Sequence, residues 1–194
     1  QRLMHKGYFA CALTIWVSIM LLSGCTEKSS YDTPTITVTI EPLRYFTEQI
    51  AADRFKVVTM VPQGGSPETY EPSARQMAAL AHSSLYIKVG EIGFERTWTK
   101  RLQDNAPHCL FINASEGIEP LSTPHGHADP HTWMSTKNAR LMAQNIFKAL
   151  CQVNTADSAL FRQNLNKLLA TIDSVDTTIR QQLNKKQARA FLIY

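Results

Sequence analysis

Ile36-Thr37-Val38-Thr39-Ile40 decides the fold, together with the helix that opens at Pro42 directly after it. β-branched residues in alternation favour extended backbone, so this stretch predicts a first strand. Proline suits the first turn of a helix, and the apolar residues that follow recur at helical spacing. These helix positions are Leu43, Phe46, Ile50 and Ala51. The stretch therefore predicts a strand–helix unit.

The same kind of unit recurs three more times along the chain. Further strands are predicted at 55–61, 85–89 and 109–112, and further helices at 74–81, 94–102 and 138–151. Short apolar strands that alternate with helices indicate a parallel sheet covered on both faces. The expected fold class is α/β, a parallel four-stranded sheet with helices on both faces, which forms an N-terminal lobe over residues 36–153.

Residues 154–187 are predicted to form one long linking helix. Between Ala156 and Gln187 there is no proline or glycine, and the apolar residues step by four and three. About 30 helical residues span on the order of 45 Å. A coiled-coil arm is the alternative for such a stripe. The stripe comprises Phe161, Leu165, Leu168, Ile172, Val175 and Ile179.

Residues 188–194 are apolar apart from Arg189 and are predicted to be the first strand of a second α/β lobe. We interpret the sequence as an N-terminal fragment in which that second lobe is truncated. The linking helix then lacks half of its packing partners. We therefore expect Leu165, Leu168, Ile172 and Val175 to stay largely exposed and to favour self-association of the fragment, whereas the full-length protein would be a monomer.

The N-terminus carries an export signal. Arg2 and Lys6 precede an apolar run over residues 8–22, which is too short to span a bilayer comfortably. The run ends in Leu22-Ser23-Gly24-Cys25, which resembles the bacterial lipobox. We expect residues 1–24 to be a signal peptide, Cys25 to be lipidated, and residues 25–35 to form a tether that anchors the exported protein to the membrane.

The net charge limits the kinds of molecule that the protein is expected to bind, and the cysteine content bears on whether it forms a disulfide. The formal net charge is +4, from 20 basic and 16 acidic residues, and it falls to +2 (18 against 16) once residues 1–24 are removed. No basic cluster remains, which argues against a nucleic-acid partner. Cys109 and Cys151 remain in an oxidising compartment, where a disulfide is possible. We expect two free buried thiols instead.

Two loops of similar design leave the same edge of the predicted sheet. Ser66-Pro67-Glu68-Thr69-Tyr70 follows the second strand, and Asp129-Pro130-His131-Thr132-Trp133 follows the fourth. Ligands of parallel α/β sheets bind at the carboxyl ends of the strands, so Glu68 and His131 are expected to approach each other there. One carboxylate and one imidazole suit Zn²⁺ or Mn²⁺ better than Ca²⁺.

Asp129 is the expected partner that sets the tautomer of His131. A loop histidine that hydrogen-bonds only its own turn is the alternative for this motif. Tyr70 and Trp133 are expected to wall the site and exclude water.

Four stretches carry a resemblance to a known family. They are Val61-Pro62 through Tyr70-Glu71-Pro72, Gly93-Phe94-Glu95 through Trp98, Asp129-Pro130-His131 through Trp133 with Asn138-Ala139, and Phe191 to Tyr194. With them the chain resembles, from Ile36 onward, the metal-binding receptors of bacterial zinc and manganese ABC importers. Those receptors have two α/β lobes joined by one long helix. The resemblance implies delivery of Zn²⁺, alternatively Mn²⁺, to a membrane permease, without catalytic turnover.

The resemblance also implies roles for single residues. His131 matches a direct metal ligand, and position 68 matches the first ligand, although most members carry histidine where Glu68 stands. The remaining ligands would lie in the second lobe. Many zinc members have a His-rich insertion before the Asp-Pro-His turn, which is here reduced to His125 and His127. These two are either an auxiliary metal collector or part of a solvated loop.

Two other functions remain open from the residues alone. A metal-dependent hydrolase would use Glu68 as general base beside a metal-bound water, but the sequence contains no HExxH motif and no nucleophile elbow. A lipoprotein adhesin, a role sometimes assigned to the same family, is not distinguished from transport by any residue.

Overall fold

The computed structural model describes residues 33–119, 121 and 128–185. Its strands are β1 (Thr35–Val38), β2 (Lys56–Thr59), β3 (Ser83–Lys88) and β4 (Leu110–Asn113). Its α-helices are α1 (Glu41–Ala51), α2 (Ala74–Leu80), α3 (Gly93–Asn105), α4 (Thr136–Val153) and α5 (Ser158–Asn184). Short 3₁₀ turns lie at Ala52–Arg54, Thr132–Met134 and Thr155–Asp157. Every strand and helix expected within the described residues is present, with shifted ends.

The four strands form one parallel sheet in the order β2-β1-β3-β4. The chain moves from β1 outward to β2 and then crosses back to β3, so the strand order reverses between β1 and β3. Such a reversal opens a crevice at the carboxyl ends of the strands. The predicted α/β fold with a parallel four-stranded sheet is confirmed.

Both faces of the sheet are covered, because the two central strands bury consecutive residues. Ile36, Thr37 and Val38 of β1 are all at most 2% exposed, and Leu85 to Ile87 of β3 are fully buried. On one side α1 and α4 contact the strands and each other, while α2 and α3 pack together. A strand buried on both faces is typical of parallel sheets that lie between helices.

Two pairs of buried hydroxyls lie between the central strands of the sheet, whereas the buried hydroxyl of Thr59 in the edge strand β2 has no partner among the described residues. The hydroxyls of Thr37 and Ser83 are 2.7 Å apart, and the hydroxyls of Thr39 and Tyr86 are 3.0 Å apart. Both pairs join β1 and its continuation to β3, the strands on either side of the crevice. Because a buried hydroxyl without a partner is costly, these bonds fix the register of the two strands next to the candidate site.

The long helix differs from the expected one at its start and in its packing. Asn154 and the 3₁₀ turn after it precede α5, so the helix begins at Ser158 rather than at 154 or 156. Its first half packs against α1 and α4. Leu165, Leu168 and Ile172 are 2%, 3% and 7% exposed, respectively. The expectation that they stay exposed is wrong, since these side chains complete the core of the lobe.

The second half of α5 does keep an apolar exposed stripe. Val175 is 47% exposed, Ile179 42% and Leu183 44%. Two ties hold this part of the helix to the start of α4: Thr136 donates to Asp176 at 2.7 Å, and Arg140 pairs with Asp173. The stripe therefore begins one turn beyond the last buried residue, Ile172.

Several expectations fall on residues outside the described ranges. These are the signal peptide, Cys25 and the tether up to residue 32, together with His125, His127 and the strand expected at 188–194. Cys109 and Cys151 are free thiols, as expected, and both are half-buried rather than fully buried. None of the helices in the described part of the chain combines the length and the apolar character that crossing a bilayer requires.

Candidate metal site

A cavity of about 720 Å³ lies at the carboxyl ends of β3 and β4. Residues that directly follow the two strands line it, and so do residues from both of the loops identified in the sequence. Its charged and imidazole side chains are Glu68, Glu91, Arg96, Asp129 and His131. The structure thus brings Glu68 and His131 to the wall of one cavity.

Glu68 reaches this cavity from the opposite edge of the sheet. β2, which precedes its loop, is separated from β4 by β1 and β3, which is about 14 Å at the usual strand spacing. The loop docks on the start of α3, which follows β3, two strands away from β2, and there the Phe94 N–H donates to the carbonyl of Pro67 at 2.9 Å. This separation explains why the loop is long.

The side chain of Glu68 is held at the same place. The backbone N–H of Gly93 donates to Oε2 of Glu68 at 3.0 Å, and Nη2 of Arg96 lies 3.6 Å from the same oxygen. Gly93 is the first residue of α3, whose N-cap position, Ile92, makes no side-chain cap. A carboxylate is favoured at a helix N-terminus because it accepts from unpaired N–H groups. Glu68 therefore acts as the cap of α3.

Gly93 is required by this close approach. A Cβ atom on Gly93 would lie 2.2 Å from Oε2 of Glu68 and 2.8 Å from the carbonyl oxygen of Glu68. No side chain fits at such distances, so any other residue would push the loop away from the helix. The position of Glu68 depends on the absence of a side chain 25 residues further along the chain.

His131 is oriented by Asp129, as expected. Oδ1 of Asp129 accepts from the backbone N–H of His131 at 3.0 Å and lies 2.7 Å from Nδ1 of the ring. The two bonds, first of all the one from the backbone, hold the pKa of Asp129 below its ordinary value. Because an ionised carboxylate only accepts, Nδ1 carries the proton and the lone pair of Nε2 is left for a ligand.

The turn that presents His131 is braced from two sides. The Thr132 hydroxyl lies 2.8 Å from the hydroxyl of Ser115, which follows β4. The side-chain amide of Asn138, in α4, donates to the Thr132 carbonyl at 3.1 Å. The turn is therefore held by Ser115 and by Asn138. The hydrogen bonds of the imidazole itself, within the described residues, go to Asp129 of the same turn, as the loop alternative expects.

Tyr70 and Trp133 contact the surroundings of the cavity rather than lining it. The Tyr70 ring packs on Phe94, with ring centroids 6.1 Å apart, and its hydroxyl donates to Gln76 at 3.0 Å. The Trp133 ring lies against the imidazole of His131, with centroids 5.2 Å apart. Both aromatic rings thus support the two loops, Tyr70 through the start of α3 and Trp133 through the imidazole itself.

A buried carboxylate forms part of the structure beneath the cavity. Glu95 is 2% exposed and accepts from the backbone N–H groups of Val89 and Gly90 at 2.6 and 2.7 Å. Burial is the main cause that raises the pKa of Glu95 above its ordinary value. Since Val89 and Gly90 line the cavity, Glu95 fixes the shape of that wall.

The importance of Gly93 and Arg96 was not evident from the sequence. Both residues lie at the start of an ordinary amphipathic helix, and neither belongs to one of the two paired motifs. Only the docking of the Glu68 loop on α3 gives them a role. One signal in the sequence did point to a close approach of another chain segment to this helix. The helix begins with a glycine, and the position before it lacks the serine or aspartate that usually caps a helix.

The donors present in the cavity fit a divalent transition metal incompletely. Glu68 supplies oxygen and His131 supplies nitrogen, which are ligands that Zn²⁺ and Mn²⁺ accept. Within residues 33–119, 121 and 128–185, no group of three or more His, Cys, Asp or Glu side chains is placed to hold a metal ion. The described residues therefore offer two candidate donors, Glu68 and His131, in the wall of one cavity.

The fold and this donor pair define a class of protein: an α/β binding domain with its site at the carboxyl edge of a parallel sheet. The family model described as "ZnuA: Zinc-uptake complex component A periplasmic" matches residues 36–194. The chain belongs to this zinc-uptake component A family. Its members are binding components of uptake systems, so the hydrolase alternative loses its support.

Individual relatives agree with the family. A manganese ABC transporter substrate-binding lipoprotein, PsaA of Streptococcus pneumoniae, is 30% identical over 156 residues, which is 73% of this chain and 50% of that protein. A putative metal-binding protein of Treponema pallidum is 28% identical over 150 residues, 69% of this chain and 47% of that protein. The chain thus spans about half the length of these relatives.

A solved structure agrees with the fold. The crystal structure of ZnuA superimposes with a TM-score of 0.78 at 33% sequence identity, covering 82% of this chain and 62% of that one. The similarity at this level places the four-stranded sheet and its helices in the same arrangement as in ZnuA.

Proposed function

We propose that this protein is an extracytoplasmic receptor that binds Zn²⁺, or alternatively Mn²⁺, and delivers it to the membrane permease of an ABC importer. One observation carries the proposal: Glu68 and His131, from loops at opposite edges of the sheet, line the same cavity. Each side chain is also held by a partner that leaves a donor atom for a metal. The protein has no catalytic turnover in this role.

The donor atoms support this function. In the neutral imidazole of His131, the bond between Nδ1 and Asp129 places the proton on Nδ1, so Nε2 keeps a lone pair for a metal. Both contacts described for the Glu68 carboxylate are made to Oε2, and Oε1 accepts no hydrogen bond from the described residues. A metal ion can therefore take one oxygen of Glu68 while the other still caps α3.

The metal is the cargo of the protein. A carboxylate in the first ligand position makes the donor set harder than two imidazoles would, and this favours acceptance of Mn²⁺ as well as Zn²⁺. The relatives include a manganese receptor by name, and the family is named for zinc. We propose that the second half of the full-length protein completes the donor set and closes over the metal, and that the receptor acts as a monomer.

The proposal includes an anchor and a capture loop outside the described residues. Cys25 is the proposed lipid attachment site, and the tether after it ends where β1 begins at Thr35, so the receptor faces the periplasm or cell exterior at the membrane surface. His125 and His127 are proposed as auxiliary donors that collect metal ions. Lipoprotein adhesion, the other role considered, has no specific contact in the structure that favours it.

The test is calorimetric titration of the full-length protein with Zn²⁺ and with Mn²⁺. His131→Ala and Glu68→Gln should each weaken metal binding by at least about tenfold, since each variant loses one of the two proposed direct metal ligands. Glutamine keeps an oxygen that can accept from Gly93, so the cap of α3 is retained. The matched control is His82→Ala, because His82 is exposed and does not line the cavity.

The outcomes separate the roles of the two residues. Wild-type affinity for both metals in His131→Ala and Glu68→Gln would overturn the proposed site. Normal binding in Glu68→Gln alone would reduce Glu68 to a helix cap and move the first ligand elsewhere.

A further inference from the structure

Arg96 lies in the first turns of α3 and extends back towards the cavity. Its Nη2 atom is 3.6 Å from Oε2 of Glu68, and its Nη1 donates to the backbone carbonyl of Glu91. Both Glu91 and Arg96 line the cavity. The guanidinium is therefore held beside the candidate ligand by a contact of its own, independent of the Glu68 carboxylate.

Arg96 provides a permanent positive charge in a cavity wall that is otherwise mostly acidic. The other ionised side chains in the described part of that wall are Glu68, Glu91 and Asp129. Lys88 is nearby but is engaged elsewhere, with the Gly90 carbonyl at 3.3 Å and Glu91 at 3.8 Å. A divalent ion bound to Glu68 would share one carboxylate with the guanidinium and would be repelled by it.

The contact between Arg96 and Glu68 is the weaker of the two contacts on Oε2. The Gly93 N–H lies at 3.0 Å on the fixed backbone of α3, whereas the guanidinium lies at 3.6 Å on a long side chain. The Arg96 and Glu68 side chains are 56% and 48% exposed. An ion pair exposed to this degree contributes little to stability, so it yields first when another cation arrives.

We propose that Arg96 is the resident counter-ion of the site: it pairs with Oε2 of Glu68 in the metal-free protein, and a divalent metal that binds Oε1 repels the guanidinium from the shared carboxylate. The inference rests on the proposed function and adds a residue that sets affinity. The positive charge stays anchored near the metal through Glu91, so it weakens metal binding. The receptor must release its metal ion to the permease. A guanidinium that can pair again with Glu68 when the metal leaves favours that release.

The test compares Arg96→Gln with Arg101→Gln in the full-length protein. Arg101 is on the same helix and its guanidinium lies 5.1 Å from the Trp98 ring centre, outside the lining of the cavity. Both changes remove one positive charge from α3. At low salt, Arg96→Gln should bind Zn²⁺ about five- to tenfold more tightly than wild type, while Arg101→Gln should stay within about twofold.

Two further measurements identify the cause. The gain in Arg96→Gln should shrink at about 0.5 M salt, because exposed charges are then screened. It should also vanish when Arg96→Gln is made in the Glu68→Gln protein, where no carboxylate remains to be shared. A merely structural role of Arg96 would produce neither a gain in affinity nor this dependence on Glu68.

Other results would overturn the inference. Binding in Arg96→Gln that is equal to or weaker than wild type would mean that Arg96 positions Glu68 instead of competing for it. A gain of the same size in Arg101→Gln would mean a general effect of net charge. These results leave the proposed receptor function intact, whereas a wild-type protein that binds neither Zn²⁺ nor Mn²⁺ would remove both.

Discussion

The backbone N–H of Gly93 donates to Oε2 of Glu68 across 3.0 Å, so a single carboxylate both caps a helix and lines the candidate metal cavity. Because Glu68 belongs to the loop after β2, this cap connects that loop to α3, which follows β3. The stability of α3 and the position of the first ligand are thereby coupled. Changes at the start of α3 should affect both.

Gly93→Ala should disrupt this coupling. The new Cβ would meet Oε2 at 2.2 Å, so the loop must move away from α3. We expect a loss of about 1–3 kcal/mol in the free energy of unfolding, as for other overpacked contacts, together with weaker Zn²⁺ binding. Thermal unfolding and calorimetry of the same variant check the two effects.

Gly64→Ala is the matched control for Gly93→Ala. Gly64 is in the same loop, at φ +85°, with nothing within 4 Å of a Cβ atom. It should cost about 1 kcal/mol through its backbone conformation alone, and metal affinity should not change. Equal affinities in the two variants would show that the approach of Glu68 to α3 does not matter for the site.

Asp129→Ala should weaken metal binding without removing a ligand. The ring of His131 would lose the 2.7 Å contact that fixes its tautomer and its direction. Loss of such a partner typically lowers metal affinity about 10- to 100-fold. Calorimetry with Zn²⁺ measures the effect, and an unchanged melting temperature shows that the fold is intact. Full affinity in Asp129→Ala would mean that the brace from Ser115 and Asn138 suffices to orient the imidazole.

Glu95→Gln should change how stability depends on pH. Burial raises the pKa of Glu95 in the folded state above its ordinary value of 4.5. Its contribution to stability is therefore fully present below the unfolded pKa and is lost as the pH rises through the folded pKa. Glutamine does not ionise, so wild type should lose stability relative to Glu95→Gln as the pH rises above about 4.5.

The same substitution has a cost that does not depend on pH. A glutamine offers one oxygen to the two N–H groups of Val89 and Gly90, so one of them loses its acceptor, at about 1–3 kcal/mol. Urea unfolding of both proteins at pH 5 and pH 8 separates the two effects. A difference between variant and wild type that is identical at both pH values would contradict the ionisation argument.

Leu168→Ala and Val175→Ala test the packing of α5. Leu168 is 3% exposed against α1 and α4, whereas Val175, two turns further along, is 47% exposed. Leu168→Ala should cost about 2–5 kcal/mol through the cavity it leaves, and Val175→Ala about 0.5 kcal/mol or less. Thermal unfolding distinguishes them. Equal small losses would mean that α5 does not belong to the core of the lobe.

Cys25→Ser tests the proposed anchor. The expected result is a precursor that the lipoprotein peptidase leaves uncleaved, that takes up no labelled palmitate and that leaves the membrane fraction, because serine has no thiol to receive the lipid group. Metabolic labelling followed by fractionation gives the measurement. A variant that is labelled and fractionates like wild type would contradict the lipid anchor.

Much of the fold was predictable because its signals are local. The alternating residues of β1 and the helical spacing of Leu43, Phe46 and Ile50 report burial that each element shows by itself. The pairing of Asp129 with His131 was likewise predictable from two residues of one turn. The motifs also predicted that Glu68 and His131 approach each other at the carboxyl ends of the strands, and both residues line one cavity there.

What the sequence did not show depends on strand order and on contacts between distant residues. The position of β2 at the far edge makes the Glu68 loop cross the sheet, and only then do Gly93 and Arg96 meet its carboxylate. The burial of Leu165, Leu168 and Ile172 was missed for the same reason. An apolar stripe on a helix does not specify which neighbours cover it.

The half-buried state of α5 makes the helix a lever. Its first half is fixed in the core up to Ile172 and its ties to α4 end at Asp176, so the part from Asp176 to Asn184 extends for about 12 Å beyond the last tie. A tilt of about 10° at Asp176 would move Asn184 by about 2 Å over that length. Small rearrangements of α1 and α4, including those at the His131 turn that leads into α4, would thus appear enlarged at Asn184.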